Sequence, residues 1–135
     1  MSAVSIRAAL ETALNGMSPA IATAWENVPF TTPAESVPYQ VVHLLLAEPD
    51  NSVYGAEHRE LGYMQIRLLY PLNAGSAAAL TRAELIRDLF PRGATFQSGG
   101  ISVIIMRTPE ILPAAVEDGR FVVIVRVRFY ANIFH

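Results

Sequence analysis

Residues 120–134 form a mostly apolar run, polar only at Arg120, Arg126, Arg128, Tyr130 and Asn132, and no Gly or Pro interrupts it. Phe121, Val123, Val125, Val127 and Phe129 fall on one face by the strand period of two. The other face changes from Val122 and Ile124 to Arg126, Arg128 and Tyr130. A long closing strand is predicted, half of whose second face must meet water or a partner. Residues 61–70 follow the same period, with Met64, Ile66, Leu68 and Tyr70 on a dry face against Gln65 and Arg67 on a wet one. Residues 39–48 are apolar on both faces apart from Gln40 and His43, which predicts a central strand covered on two sides.

Helical spacing appears twice. Ile6, Leu10, Ala13, Leu14 and Met17 recur at that spacing, so residues 2–15 read as an amphipathic helix with Ser2 as N-cap and Gly16 as its stop. In residues 76–90, Ala79, Leu80, Ala83, Ile86, Leu89 and Phe90 share one face, with Arg82, Glu84, Arg87 and Asp88 mostly opposite. Pro91 and Gly93 close this second helix. Residues 21–25 read as a short strand, and Pro29, Pro33 and Pro38 make residues 27–38 a connection. Residues 50–60 read as a polar loop, residues 94–97 as a short strand, residues 101–107 as another with Val103 and Ile105 inward, and residues 108–119 as a loop. The predicted order is αβββαβββ. It describes an α+β fold: a mainly antiparallel sheet of five or six strands with two helices packed on it.

The 135 residues fit one domain. Hydrophobic residues make up 52% and charged residues 16%, few charges for the surface of so small a domain, and burial in an oligomer would relieve that. A net charge of −2 argues against a general nucleic-acid or anionic-membrane surface. All ten basic residues are arginine, which removes Schiff-base lysine chemistry and the phosphate-loop lysine. The absence of cysteine removes disulfides, thiolate nucleophiles and zinc-thiolate sites. Without a signal pattern or a membrane-length apolar run, a soluble intracellular protein is expected.

Little in the chain suggests catalysis. His43, His58 and His135 stand at no metal-ligand spacing. His43 reads as a hydrogen-bonded core or interface residue, while Glu57, His58 and Glu60 form either a weak divalent-cation cluster or a solvated loop. Ser98-Gly99-Gly100 is turn chemistry and not a nucleophile elbow, and no phosphate or dinucleotide loop is present. Trp25 reads as a packing residue. The stripe of Arg126, Arg128 and Tyr130 is the best surface candidate, since Arg and Tyr favour interfaces; a solvated sheet face is the plain alternative.

The layout resembles the tail terminator, or tail-completion, proteins of long-tailed bacteriophages, including small prophage-encoded relatives. The likeness lies in the opening helix ending near Gly16, the Trp25 segment, the Pro-rich link, the polar hairpin loop, the second helix and the long closing strand. Two phrases carry it further: Leu69-Tyr70-Pro71 leading through Gly75 into the second helix, and Arg126-Val127-Arg128-Phe129-Tyr130. The resemblance implies a non-enzymatic structural protein without cofactor or metal. Such a protein forms a six-membered ring that caps the tail tube, stops its growth and helps join tail to head. Implied partners are further copies of the chain, the tail-tube protein and the head–tail connector proteins, with neither nucleic-acid specificity nor membrane. A monomer in isolation is compatible with assembly on the tube. The implied location is the host bacterial cytoplasm during assembly and then the virion tail. Expected interface residues are Gln65, Arg67, Arg126, Arg128 and Tyr130 on the sheet, with Tyr54, Glu57, His58 and Arg59 from the loop. Competing readings are a small-molecule-binding or enzymatic α+β domain with a pocket beside Trp25 or His43, and another head–tail joining or capsid-associated protein.

Overall fold

The computed structural model describes residues 2–18, 20–49, 51, 58–117 and 119–133. The elements run α1 (Ser2–Asn15), β1 (Ala22–Ala24), β2 (Tyr39–Leu46), β3 (His58–Pro71), α2 (Ala77–Leu89), β4 (Thr95–Ser98), β5 (Ile101–Ile105), β6 (Glu110–Ile111), β7 (Ala115–Glu117) and β8 (Arg120–Ile133). The αβββαβββ order is present, with two short strands added before the last. The side chain of Ser2, expected as a cap, lies outside the described residues.

The sheet follows the path β1-β2-β3-β8-β5-β4. β3 and β8 form its spine, paired antiparallel along all 14 residues of each. Within residues 108–119, expected as a loop, residues 110–111 and 115–117 instead pair along β8. β5, β6 and β7 pair in turn with successive stretches of the same edge. Pro109 and Pro113 break any alternation there, so the period of two is not visible in the sequence. One neighbour relation also differs from the antiparallel expectation: β1 pairs with β2 in parallel. The Pro-rich connection between them is long enough for the crossover that a parallel pair needs.

Both helices lie on one face of this sheet. Ile6, Leu10 and Leu14 of α1 and Ala79, Ala83 and Ile86 of α2 meet Val42, Met64, Ile66, Leu68, Val123, Val125, Val127 and Phe129 in one buried cluster. The inward faces read from β3 and β8 are therefore those that make the core. α2 differs from its expected face in two places. Leu80 is 40% exposed, and Arg82 is buried at 4%. Arg82 stands three residues after Ala79, a core spacing that its charge obscures, and it packs near Tyr70. Burial raises the Tyr70 pKa, an effect the nearby guanidinium opposes.

No described helix covers the second face of the sheet. β2 is consequently covered on one side only, contrary to expectation, and Leu45, which faces the open side opposite Tyr63, is left 44% exposed. One end of this face is closed by the Pro-rich connection. Arg120, itself buried, donates to the carbonyls of Val37 at 2.6 Å, Ala34 at 2.9 Å and Pro33 at 3.0 Å, and its guanidinium stacks on Tyr39. Leu69 and Val122 are buried beneath that end.

The opposite flank is tied by Glu26. Its carboxylate accepts from Arg7 Nη1 of α1 at 3.1 Å and from the Leu44 backbone N–H. β1 stops at Ala24, opposite Val41, so this side chain takes over a β2 edge donor that the short strand does not reach.

Candidate interface on the open sheet face

Alternation along β3 and β8 sends the odd residues of one and the even residues of the other away from the helices. The register sets Gln65 opposite Arg126, Tyr63 opposite Arg128, Leu61 opposite Tyr130 and Arg59 opposite Asn132. Gln65, Arg67, Arg126, Arg128, Tyr130 and Arg59 therefore share one face. None of these six is fully buried.

Their mutual contacts are specific. Arg126 Nε donates to Gln65 Oε1 at 3.0 Å. The Arg126 and Arg128 guanidiniums lie 5.4 and 5.5 Å from the Tyr63 ring centroid, so one aromatic ring serves two cations. Arg59 stacks on Tyr130 at 4.4 Å and donates from Nε to Asn132 Oδ1 at 2.9 Å. Arg67 is neutralised by Glu117 of β7, Nη2 to Oε2 at 2.6 Å. Among the described residues Arg126 and Arg128 have no such carboxylate, although Glu110 stands opposite Arg126 in the register.

A depression of 240 Å³ opens beside them, lined by Arg107, Thr108, Glu110, Arg126 and Arg128. It borders a second one of 500 Å³ lined by Arg92, Met106, Arg107 and Thr108. Arg107 and Tyr63 complete the site and were not singled out in the sequence. Tyr63 was within reach, because it continues the wet-face alternation of Gln65 and Arg67. Arg107 was not, because its place depends on how the segment after β5 folds back along β8.

Other expected positions fall elsewhere. His43 is exposed on the open face and is not a core residue. His58 and Glu60 belong to β3 and not to a loop, and they bond to each other, Nε2 to Oε1 at 2.9 Å. Tyr54 and Glu57 lie outside the described residues. Among the described residues no three His, Asp or Glu side chains converge as metal ligands. Nor does any described helix have the length and apolarity to cross a membrane. Trp25 packs against the core and lines an open depression with Glu11, Thr12, Asn15 and Val28.

The geometry sets guanidiniums and tyrosines side by side on one sheet face, groups whose chemistry suits carboxylates and planar partners. The family model described as phage tail terminator protein matches residues 5–129, and the chain belongs to that family. A solved protein structure is similar to this chain with a TM-score of 0.77 and 27% identity, over 96% of this chain and 94% of the other. No curated protein sequence matches it. The chain is thus a structural protein of the phage tail, without enzymatic activity, acting in the capping and joining steps of tail assembly.

Proposed function

We propose that six copies of this chain close into a ring on the last ring of tail-tube subunits. The ring halts tube growth and presents its far side to the head–tail connector proteins. Residues 1–135 act in it as one domain, which assembles in the host bacterial cytoplasm and stays in the virion tail. The observation that carries this reading is the open sheet face. A sheet normally buries both faces or leaves one polar; here Tyr63, Tyr130, Leu45 and Ile124 stand on the uncovered face beside Arg126 and Arg128. Arg and Tyr together are the residue types that dominate interface energetics.

Gln65, Arg126, Arg128 and Tyr130 are assigned to the contact itself, with Arg67 held in place by Glu117. Arg59, on the open face at the start of β3, is assigned to the same contact, while His58 alternates onto the helix-bearing side and, with Tyr54 and Glu57 just before it in the sequence, is assigned to a contact with neighbour or tube. Replacing Arg126 and Arg128 with Glu tests the assignment. Assembly, read as particle mass in solution or as capping of tube ends, should be lost, while the circular dichroism spectrum and melting temperature stay near those of the parent chain. Unchanged assembly would remove these residues from the interface.

A further inference from the structure

We infer that the open sheet face is covered by α2 of the next copy, with the stripe Leu80, Glu84 and Asp88 lying along Ile124, Arg126 and Arg128. This inference rests on the self-assembly reading and names the two surfaces that meet. It starts from a charge imbalance. Among the described residues Arg126 and Arg128 have no carboxylate partner, while Glu84 and Asp88 are exposed on α2 and likewise form no ion pair. The two sets lie on opposite sides of one subunit, because α2 packs on the helix-bearing face and the arginines point away from it.

Spacing favours the match. Residues four apart on a helix are separated by about 6 Å along its axis. Residues two apart on a strand are separated by about 6.6 Å. Three successive positions of the α2 stripe therefore stay in step with three successive same-face positions of β8. Leu80 then covers Ile124, Glu84 meets Arg126 and Asp88 meets Arg128. The 13 residues of α2 span about 20 Å, within the part of β8 that the Pro-rich connection leaves open.

Two features of α2 have no explanation within a single subunit. Leu80 is exposed although its neighbours Ala79 and Ala83 are fully buried. Asp88 sits in the last helical turn, where a carboxylate opposes the helix dipole. Both become favourable on a neighbour's arginine-bearing sheet face. Such a contact joins two different patches, as a closed ring requires, and gives the sheet the second helix layer it lacks.

Charge reversal tests the pairing. Glu84→Arg with Asp88→Arg, and separately Arg126→Glu with Arg128→Glu, should each reduce the wild-type particle to a single subunit. An equimolar mixture should regain the wild-type mass, because the two reversed surfaces are again complementary. A mixture that stays at one subunit overturns the pairing, as does a wild-type ring indifferent to both reversals. A wild-type chain monomeric at every concentration, and still unassembled when mixed with tail tubes, overturns the pairing and the self-assembly reading together.

A covalent test needs no charge change. The chain has no cysteine, so Leu80→Cys with Ile124→Cys introduces the only two thiols. The sheet separates them within one subunit, beyond the reach of a disulfide. Mild oxidation should give a ladder of linked subunits on a non-reducing gel, and each single variant should give none. A ring that forms but yields no ladder from the double variant would contradict the proposed register.

Discussion

Arg120 and Val37 lie 83 positions apart in the chain and are joined by a 2.6 Å hydrogen bond from Nη1 to the backbone carbonyl. The same guanidinium holds Pro33 and Ala34, so one buried cation fixes a connection that has no regular structure of its own. Prolines leave the segment few backbone donors of its own, so the guanidinium supplies three of the hydrogen bonds that hold it on the sheet. Arg120→Met keeps the length of the side chain and removes all three bonds. A loss of about 3 kcal/mol in unfolding free energy is expected from denaturant titration. An unchanged midpoint would mean that the connection holds its place without the arginine.

Gly62 meets a different constraint. It sits in β3 opposite both Leu46 and Phe129, and a Cβ there would collide with the Leu45 carbonyl and press on the Phe129 ring. The obstacle is strand backbone, which cannot swing away as a side chain can. Gly62→Ala should destabilise the protein by about 1–3 kcal/mol, the usual range for overpacking. Thermal unfolding gives the comparison, and a melting temperature equal to that of the parent would show that β2 can shift.

Glu26 makes stability depend on acid. Partial burial pushes its pKa up, but the Leu44 N–H, the hydrogen bond and charge of Arg7, and the charge of His43 together outweigh that and hold it below the ordinary carboxylate value. A lowered folded-state pKa stabilises the fold fully above the unfolded value of about 4.3. That contribution is lost as pH falls through the lower folded value. Glu26→Gln should therefore be less stable than the parent at pH 7, with the gap narrowing below about pH 4. Because Glu26 is partly solvated, the effect should be modest. A pH-independent gap would assign the loss to packing and not to charge.

Much of the fold was legible from periodicity. The inward residues of β3 and β8, the buried faces of both helices other than Leu80 and Arg82, and the order of the main elements follow from spacings of 2 and 3.6. Three things were not. The edge pairing of residues 108–119 depends on a long-range register that prolines conceal. The parallel placement of β1 depends on the path of a connection, and the exposure of β2 depends on a missing layer. A strand apolar on both faces looks the same whether the second face is covered by its own chain or by another copy. The arginine stripe was visible as a pattern, but its pairing with Tyr63 and Gln65 required the register of β3 on β8.

Whether the open face is covered by a second copy decides the account, and absolute mass by light scattering during size exclusion measures it most directly. A subunit has a mass of 14.7 kDa, so a closed ring of six copies should elute as a discrete species of about 88 kDa. That species, reduced to a single subunit by Arg126→Glu with Arg128→Glu, is the expected result. A wild-type chain that remains at 14.7 kDa across the concentration series, both alone and in the presence of tail tubes, would contradict it.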